Sequence, residues 1–179
     1  MSGVVFLRAL RSSDFAFAAL WKNDPDIRDF TASYFFPTTE ADEQVWIQKN
    51  SNAQQNTKVV FAIALPDHPD PIGFIHLNEI HWIHRTAMLG IMIGSKEHQG
   101  KGHGAQAMKQ LIAYGFSVLN LRKISLQVVS FNTAAIHLYE KLGFQREGIL
   151  RKQYFLRGAY HDGFLYALMN PAPEASIVG

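Results

Sequence analysis

Between Thr86 and Leu119 an apolar run, a glycine-rich break and a helical periodicity follow one another in quick succession. The run is Ala87-Met88-Leu89-Gly90-Ile91-Met92-Ile93, and the break carries Gln99-Gly100-Lys101-Gly102-His103-Gly104. Met108, Leu111, Ile112, Gly115 and Leu119 then recur at helical spacing, so the order is strand, tight turn, amphipathic helix. The first turn of a helix leaves backbone N–H groups without intrahelical acceptors, which suits an anion. Glycines let the backbone approach such a ligand closely and adopt positive φ at little cost. On pattern alone the segment is either a phosphate cradle or an ordinary strand-to-helix loop, because glycine-rich turns are common.

A chain of 179 residues can bury a real core, and no linker divides it. One domain over residues 1–170 is expected, with a frayed tail over 171–179. Cysteine is absent, which excludes disulfides, a protein thiolate nucleophile and cysteine-ligated zinc. Met1-Ser2-Gly3-Val4-Val5-Phe6 has neither a basic n-region nor a long apolar h-region, and no later run reaches spanning length. The expectation is a cytoplasmic protein with no membrane partner. A net charge of +2 and a pI near 8.9 mildly favour small anions, while the lack of a dense Lys/Arg stripe argues against nucleic acid. His81 and His84 flank Trp82-Ile83, and His98 and His103 bracket glycines; neither spacing is a metal motif. Solvated loop histidines and no metal are therefore expected.

In chain order, Val4 to Arg8 reads as a strand, and Ser12-Ser13-Asp14 as the cap of a helix reaching Trp21-Lys22. Asp24-Pro25 starts a short helix carrying Ile27, Phe30 and Tyr34. Thr38-Thr39 caps a third, whose acidic first turn of Glu40, Asp42 and Glu43 complements the helix dipole. Lys58 to Ala64 reads as a strand, Pro66 to Pro71 as an irregular turn, and Ile72 to Ile80 and Thr86 to Ile93 as antiparallel partners. Lys123 to Val129 is a further strand, and Asn132 caps a helix through Leu142 that Gly143 stops. Phe144 to Phe155 and Tyr160 to Met169 read as a closing hairpin around Arg157-Gly158. On the buried stripe of the helix after Asn132, Tyr139 is by itself a core aromatic.

Two motifs in this order carry a resemblance. The strand leading into Gln99-Gly100-Lys101-Gly102-His103-Gly104 resembles the acyl-CoA loop of the GNAT acetyltransferases, Arg/Gln-x-x-Gly-x-Gly/Ala. Asn132, Ala134-Ala135 and Leu138-Tyr139-Glu140-Lys141-Leu142-Gly143-Phe144 resemble that family's second signature. Trp21-Lys22-Asn23-Asp24-Pro25 and the region from Gly148 to Asp162 are similar to the branch of ribosomal-protein N-terminal and polyamine acetyltransferases. His84-Arg85 through Leu119-Asn120-Leu121 is similar to spermidine acetyltransferases in particular.

The resemblance implies an α+β fold: a mixed, largely antiparallel sheet of about seven strands, flanked by about four helices, with a splayed pair that binds acetyl-CoA. It implies that the pantetheine arm pairs with the backbone of Ile91, Met92 and Ile93. The pyrophosphate would meet N–H groups of Gln99, Gly100, Lys101, Gly102, His103, Gly104 and Ala105, with Lys101 adding charge. Asn132 would bond the cofactor arm, which is compatible with its capping a helix, and Lys141 falls in the same cofactor-binding set. An N–H of Ile91 or Met92 would stabilise the oxyanion formed when a primary amine attacks the acetyl thioester. Tyr139 matches the family's general acid: a phenol near pKa ~10 can protonate a departing thiolate whose conjugate acid is near ~8.5. An alkylammonium near pKa ~10.4 must also lose a proton, and Glu79 is the first candidate base, ahead of Glu97 and His76.

The acceptor is less determined. Met88 stands where a spermidine acetyltransferase would carry an acidic residue, and Phe35-Phe36-Pro37 lacks carboxylates. A polycation needs several acidic partners, since one exposed ion pair contributes at most about 1 kcal/mol. The leading expectation is thus an acetyl-CoA-dependent N-acetyltransferase acting on a small-molecule amine or a protein N-terminus. A polyamine acetyltransferase and a catalytically silent acyl-CoA sensor are the alternatives. A dinucleotide-binding oxidoreductase lacks both the Gly-x-Gly-x-x-Gly spacing and an acidic residue in Lys123 to Val129, and a P-loop lacks its Gly-Lys-Ser/Thr. The expected partners are acetyl-CoA, an amine and a second copy of the chain in a homodimer, the commonest closed assembly.

Overall fold

The structure is a computed structural model that describes residues 4–32, 36–51 and 56–171. Seven strands form one sheet: β1 (Phe6–Arg8), β2 (Val59–Leu65), β3 (His68–His81), β4 (Thr86–Ile93), β5 (Lys123–Val129), β6 (Gln145–Leu156) and β7 (Ala159–Met169). Their order across the sheet is β1-β2-β3-β4-β5-β7-β6. Five α-helices accompany them: α1 (Phe15–Lys22), α2 (Pro25–Thr31), α3 (Glu40–Ser51), α4 (His103–Ser117) and α5 (Thr133–Lys141). The resemblance implied about four, while the chain-order reading named all five, and the strands and helices follow one another along the chain as the sequence implied. Tyr34 and residues 172–179 of the tail lie outside the described residues.

Period-two alternation divides the sheet into two apolar faces. Ile63, Ile75, Leu77 and Leu89 point to one side, where they pack with Met108 and Leu111 of α4 and Tyr139 of α5. Val60, Ala62, Phe74 and Met92 point to the other, against Ala18 and Trp21 of α1 and Ile47 of α3. α4 and α5 are held by their apolar stripes rather than by propensity alone, whereas α3 fully buries only Ile47 and the Glu43 carboxylate. Arg85 fastens the β3–β4 turn to the end of α4: its Nε and Nη2 both donate to Asn120, at 2.6 Å each. The two ends of the stretch from His84 to Leu121 are thus physically joined.

All neighbouring strands run antiparallel except β4 and β5. These pair in parallel, and only at Thr86↔Lys123, Ala87↔Ile124 and Met88↔Ser125. Beyond Met88 they diverge. Leu89 to Ile93 pair with β3 on one side and with no strand on the other, while Leu126 to Val129 pair with β7 alone. A split in the middle of a sheet leaves backbone donors and acceptors facing the gap.

Three local readings need correction. Pro66 to Pro71 is not a loop throughout: β3 already begins at His68, with Leu65↔His68 and Ala64↔Pro71 paired across register shifts. A bulged strand end tolerates prolines, since their missing N–H groups need no partners there. Asp14 does not cap α1 with its side chain. It is buried, accepts from both Nη atoms of Arg8 at 2.9 Å and from the Arg11 N–H, and so ties β1 to the helix. Glu43 is more than a dipole complement: it is 3% exposed and ion-paired with Lys22. Thr39 and Asp42 do form the expected reciprocal cap at the start of α3.

Candidate active site

The split between β4 and β5 opens into a cleft of about 990 Å³. One end reaches the N-terminus of α4, the other passes onto the sheet face covered by α1 and α3, and α5 borders it between. Its chemistry follows from what each element brings to it.

At the α4 end, Gly100 and Gly102 hold φ of +70° and +81°, a conformation that side-chain-bearing residues adopt only under strain. A Cβ at either would meet nothing within 4 Å, so the space above the loop is open. The first helical bond runs from the Gln106 N–H to the Gly102 carbonyl. The N–H groups of Gly100, Lys101, Gly102, His103, Gly104 and Ala105 have no acceptor among the described residues. Gln99 differs from the expectation: its N–H donates to the Lys96 carbonyl at 3.3 Å, and its Nε2 to the Ile93 carbonyl at 2.8 Å. It anchors the loop to the end of β4, so the free donors begin at Gly100. A Cβ at Gly104 would meet Ile91, Ile93 and Leu138 at 3.8–4.0 Å, ordinary contact distances.

His103 is not a solvated loop histidine. It opens α4 at 3% exposure, and its Nδ1 has no hydrogen-bond partner among the described residues. Desolvation, with the neighbouring His98 and Lys101, lowers its pKa. His81 and His84 are exposed as expected, their rings stacked at 4.1 Å. Among the described residues no group of His, Asp or Glu is placed to hold a metal ion. Lys101 and Lys141 are exposed and do not line the cleft.

The middle of the cleft is bounded by the free edge of β4 and by α5. Alternate residues of Leu89 to Ile93 turn their N–H and C=O groups toward the gap. Asn132 caps α5, with its Oδ1 accepting from the Ala135 N–H at 3.2 Å and its Nδ2 donating to the Phe30 carbonyl at 3.3 Å. Tyr139 lines the cleft, 8% exposed. Its hydroxyl has no partner among the described residues, and burial pushes its pKa up to about 12. The phenol therefore stays protonated throughout the range in which an amine acceptor reacts.

The candidate bases separate cleanly. Glu79 occupies a bulge at φ +51°, exposed and away from the cleft, and Glu97 does not line it either. His76 does. It pairs across the sheet with Gly90, and a Cβ on that glycine would lie 2.4 Å from the His76 Nε2, so the ring lies directly over the Gly90 backbone. Burial, then the Lys58 and Lys22 ammoniums, push the His76 pKa down to about 4. The ring is a neutral acceptor at ordinary pH.

That depression makes a prediction for stability. Between pH ~6.5 and ~4 the unfolded chain binds a proton at His76 that the folded chain does not, so this contribution is complete above 6.5 and is lost as pH falls toward 4. The loss is at most about 3 kcal/mol. In His76→Gln the fall in Tm between pH 6.5 and 4 should be shallower than in the parent protein. An equally steep fall would mean that the ring is already charged in the fold.

Sequence reasoning did not find the groups at the α1/α3 end. Lys22 of α1 and Glu43 of α3 meet at 2.7 Å with both side chains under a tenth exposed. The Lys22 ammonium lies 3.9 Å from the centre of the Trp46 ring, and the Lys58 ammonium 5.6 Å from it. The only available signal was local: Glu43 and Trp46 are spaced to share a helix face.

A backbone cradle, a free strand edge and a buried phenol suit a phosphorylated acyl thioester, and the comparisons agree. Residues 5–145 match the acetyltransferase (GNAT) domain family. The chain belongs to it. It is an acetyl-CoA-dependent N-acetyltransferase. Spermidine N(1)-acetyltransferase of Vibrio cholerae is 34% identical over 162 residues, covering 90% of this chain and 91% of that protein. The crystal structure of spermidine N-acetyltransferase from Vibrio cholerae with CoA and spermine superposes with a TM-score of 0.85 at 32% identity, over 93% of this chain and 95% of that one. A putative ribosomal N-acetyltransferase of Bacillus subtilis, YdaF, is 32% identical over 97 residues, 54% of this chain and 52% of its own. Among the described residues of this acetyltransferase, no helix is long and apolar enough to cross a membrane.

Proposed function

We propose that this acetyltransferase acts, in the cytoplasm, on a primary amine that enters from the α1/α3 end of the cleft and reacts at the point where β4 leaves β5. The observation that carries the reading is the cleft itself. It joins the unpartnered N–H groups at the start of α4 to the neutral ring of His76 through a gap bordered by Tyr139.

Acetyl-CoA supplies the activated acetyl group. The N–H groups of Gly100 to Ala105 bind its phosphates, with Gly100 and Gly102 keeping the approach clear. The free edge of β4 at Ile91, Met92 and Ile93 orients the arm, Asn132 holds the start of α5 beside it, and an N–H of that strand meets the developing negative oxygen. The Tyr139 hydroxyl donates a proton to the departing sulfur. His76, neutral in the cleft, accepts a hydrogen bond from the incoming amine and orients it in place of Glu79, while water carries the amine's proton away, since a ring held near 4 does not keep it.

A second reading takes a polyamine as the acceptor. It is favoured by the two Vibrio cholerae matches, one of them a structure holding spermine. A relative from that organism is also described as dodecameric, which supports self-association of this chain into a multimer.

Calorimetry with acetyl-CoA, followed by a thiol-release screen of amines, polyamines, aminoglycosides and N-terminal peptides, tests the proposal. The expected result is binding of acetyl-CoA and amine-dependent release of thiol. Acetyl-CoA binding with no release for any amine would leave a silent acyl-CoA-binding domain in its place.

A further inference from the structure

The acceptor end of the cleft is unusual in its charge. Lys22, Lys58, Trp46, Phe74 and His76 surround it, and two of these carry positive charge. Lys22 sits at the end of α1 against the Glu43 carboxylate, which neutralises it. Lys58 precedes β2 by one residue and points to the same sheet face as Val60 and His76. Among the described residues no carboxylate lies within ion-pairing distance of its ammonium, which lies 5.6 Å from the centre of the Trp46 ring. Burial and then Lys22 lower the Lys58 pKa, as expected of a cation held away from water beside a like charge.

The carboxylates that a polycation would need are elsewhere. Among the described residues lining the cleft the one acidic side chain is Asp26, and Lys96 already engages it at 2.9 Å. Asp29 is tied to Arg157, and Glu43 to Lys22. Met88, which shares the sheet face of Gly90 and Met92, adds no charge. A second ammonium on the acceptor would approach Lys58 without compensation, whereas an anionic group would relieve it.

We infer that Lys58, backed by the Lys22–Glu43 pair and Trp46, is a specificity-determining residue that selects acceptors carrying a carboxylate beside their primary amine. The substrate class is then an amino acid, an ω-amino acid or a peptide-like amine with a nearby acidic group, rather than a polyamine. The acceptor's amine faces His76 and the thioester, and its anionic end turns back toward Lys58. This rests on the acetyl-transfer reading above and specifies its acceptor.

Three amines of equal chain length test it: 4-aminobutyrate, 4-aminobutanol and 1,4-diaminobutane. Each is titrated by calorimetry into the protein saturated with CoA, and each is assayed for thiol release with acetyl-CoA. A half-buried ammonium meeting one carboxylate should favour the carboxylate over the diamine by about 10-fold in affinity. Lys58→Gln should abolish that preference and Lys58→Glu should reverse it, with acetyl-CoA affinity measured alongside to show that both variants are folded. Tighter binding of the diamine, no binding of the carboxylate, or a preference unmoved in both variants would overturn the inference. Failure of the parent protein to bind acetyl-CoA would instead overturn the reading of the cleft.

Discussion

Replacing Tyr139 with Phe should lower kcat by about 100- to 1,000-fold while acetyl-CoA binds as before, because a positioned general acid contributes on that scale. The substitution removes one oxygen and leaves the ring contacts with Phe144 and Tyr166 in place. Loss of rate therefore cannot be assigned to lost packing. Burial has already raised the phenol to about 12, so at neutral pH it is in the protonated form that the proposed role requires. Steady-state thiol release, with calorimetry of acetyl-CoA on the same sample, separates the effects. An unchanged kcat on the preferred amine would return Tyr139 to the core, as one more aromatic of its helix.

The second large effect is on stability. Glu43→Ala should destabilise the protein by about 2–4 kcal/mol, since removing one member of a buried ion pair leaves a desolvated charge behind. For a chain of this size that is a fall in Tm of roughly 5–15 °C. The pair is well buried on both sides, and Glu43 also accepts from the Thr38 hydroxyl at 2.8 Å, so more than one contact is lost. Glu43→Gln keeps the hydroxyl contact and should fall between the two. Thermal unfolding followed by circular dichroism decides it; a Glu43→Ala protein as stable as its parent would show that the Lys22 ammonium reaches water without its carboxylate.

Most of what the sequence made legible was local. The glycine loop, the helix after it and the Asn132 cap are determined by residues within a few positions of one another, and the structure places them on one cleft. The helical period puts Tyr139 on the inner stripe of α5, which by itself reads as core; its expected role came from the family resemblance. What was hidden depended on packing between distant segments. Lys22 and Glu43 read as the end of one helix and the start of another, and only the contact of α1 with α3 makes them a pair. The position of His76 on the cleft was partly legible: Phe74 and His76 share one sheet face, while Ile75 and Leu77 share the face that Glu79 would follow. Alternation already set His76 apart from Glu79; the bulge that turns Glu79 outward carried no sequence mark.

Between β4 and β5 the protein leaves its own hydrogen bonding unfinished, with only three residue pairs closing the seam. A ligand arm lying in that seam, as proposed, would take the place of a strand against the free edge of β4. Binding and folding would then be coupled: saturating acetyl-CoA is expected to raise Tm by filling the gap, which thermal unfolding with and without the ligand checks. The cost of leaving a seam open in every resting molecule is borne by the two cores on either side.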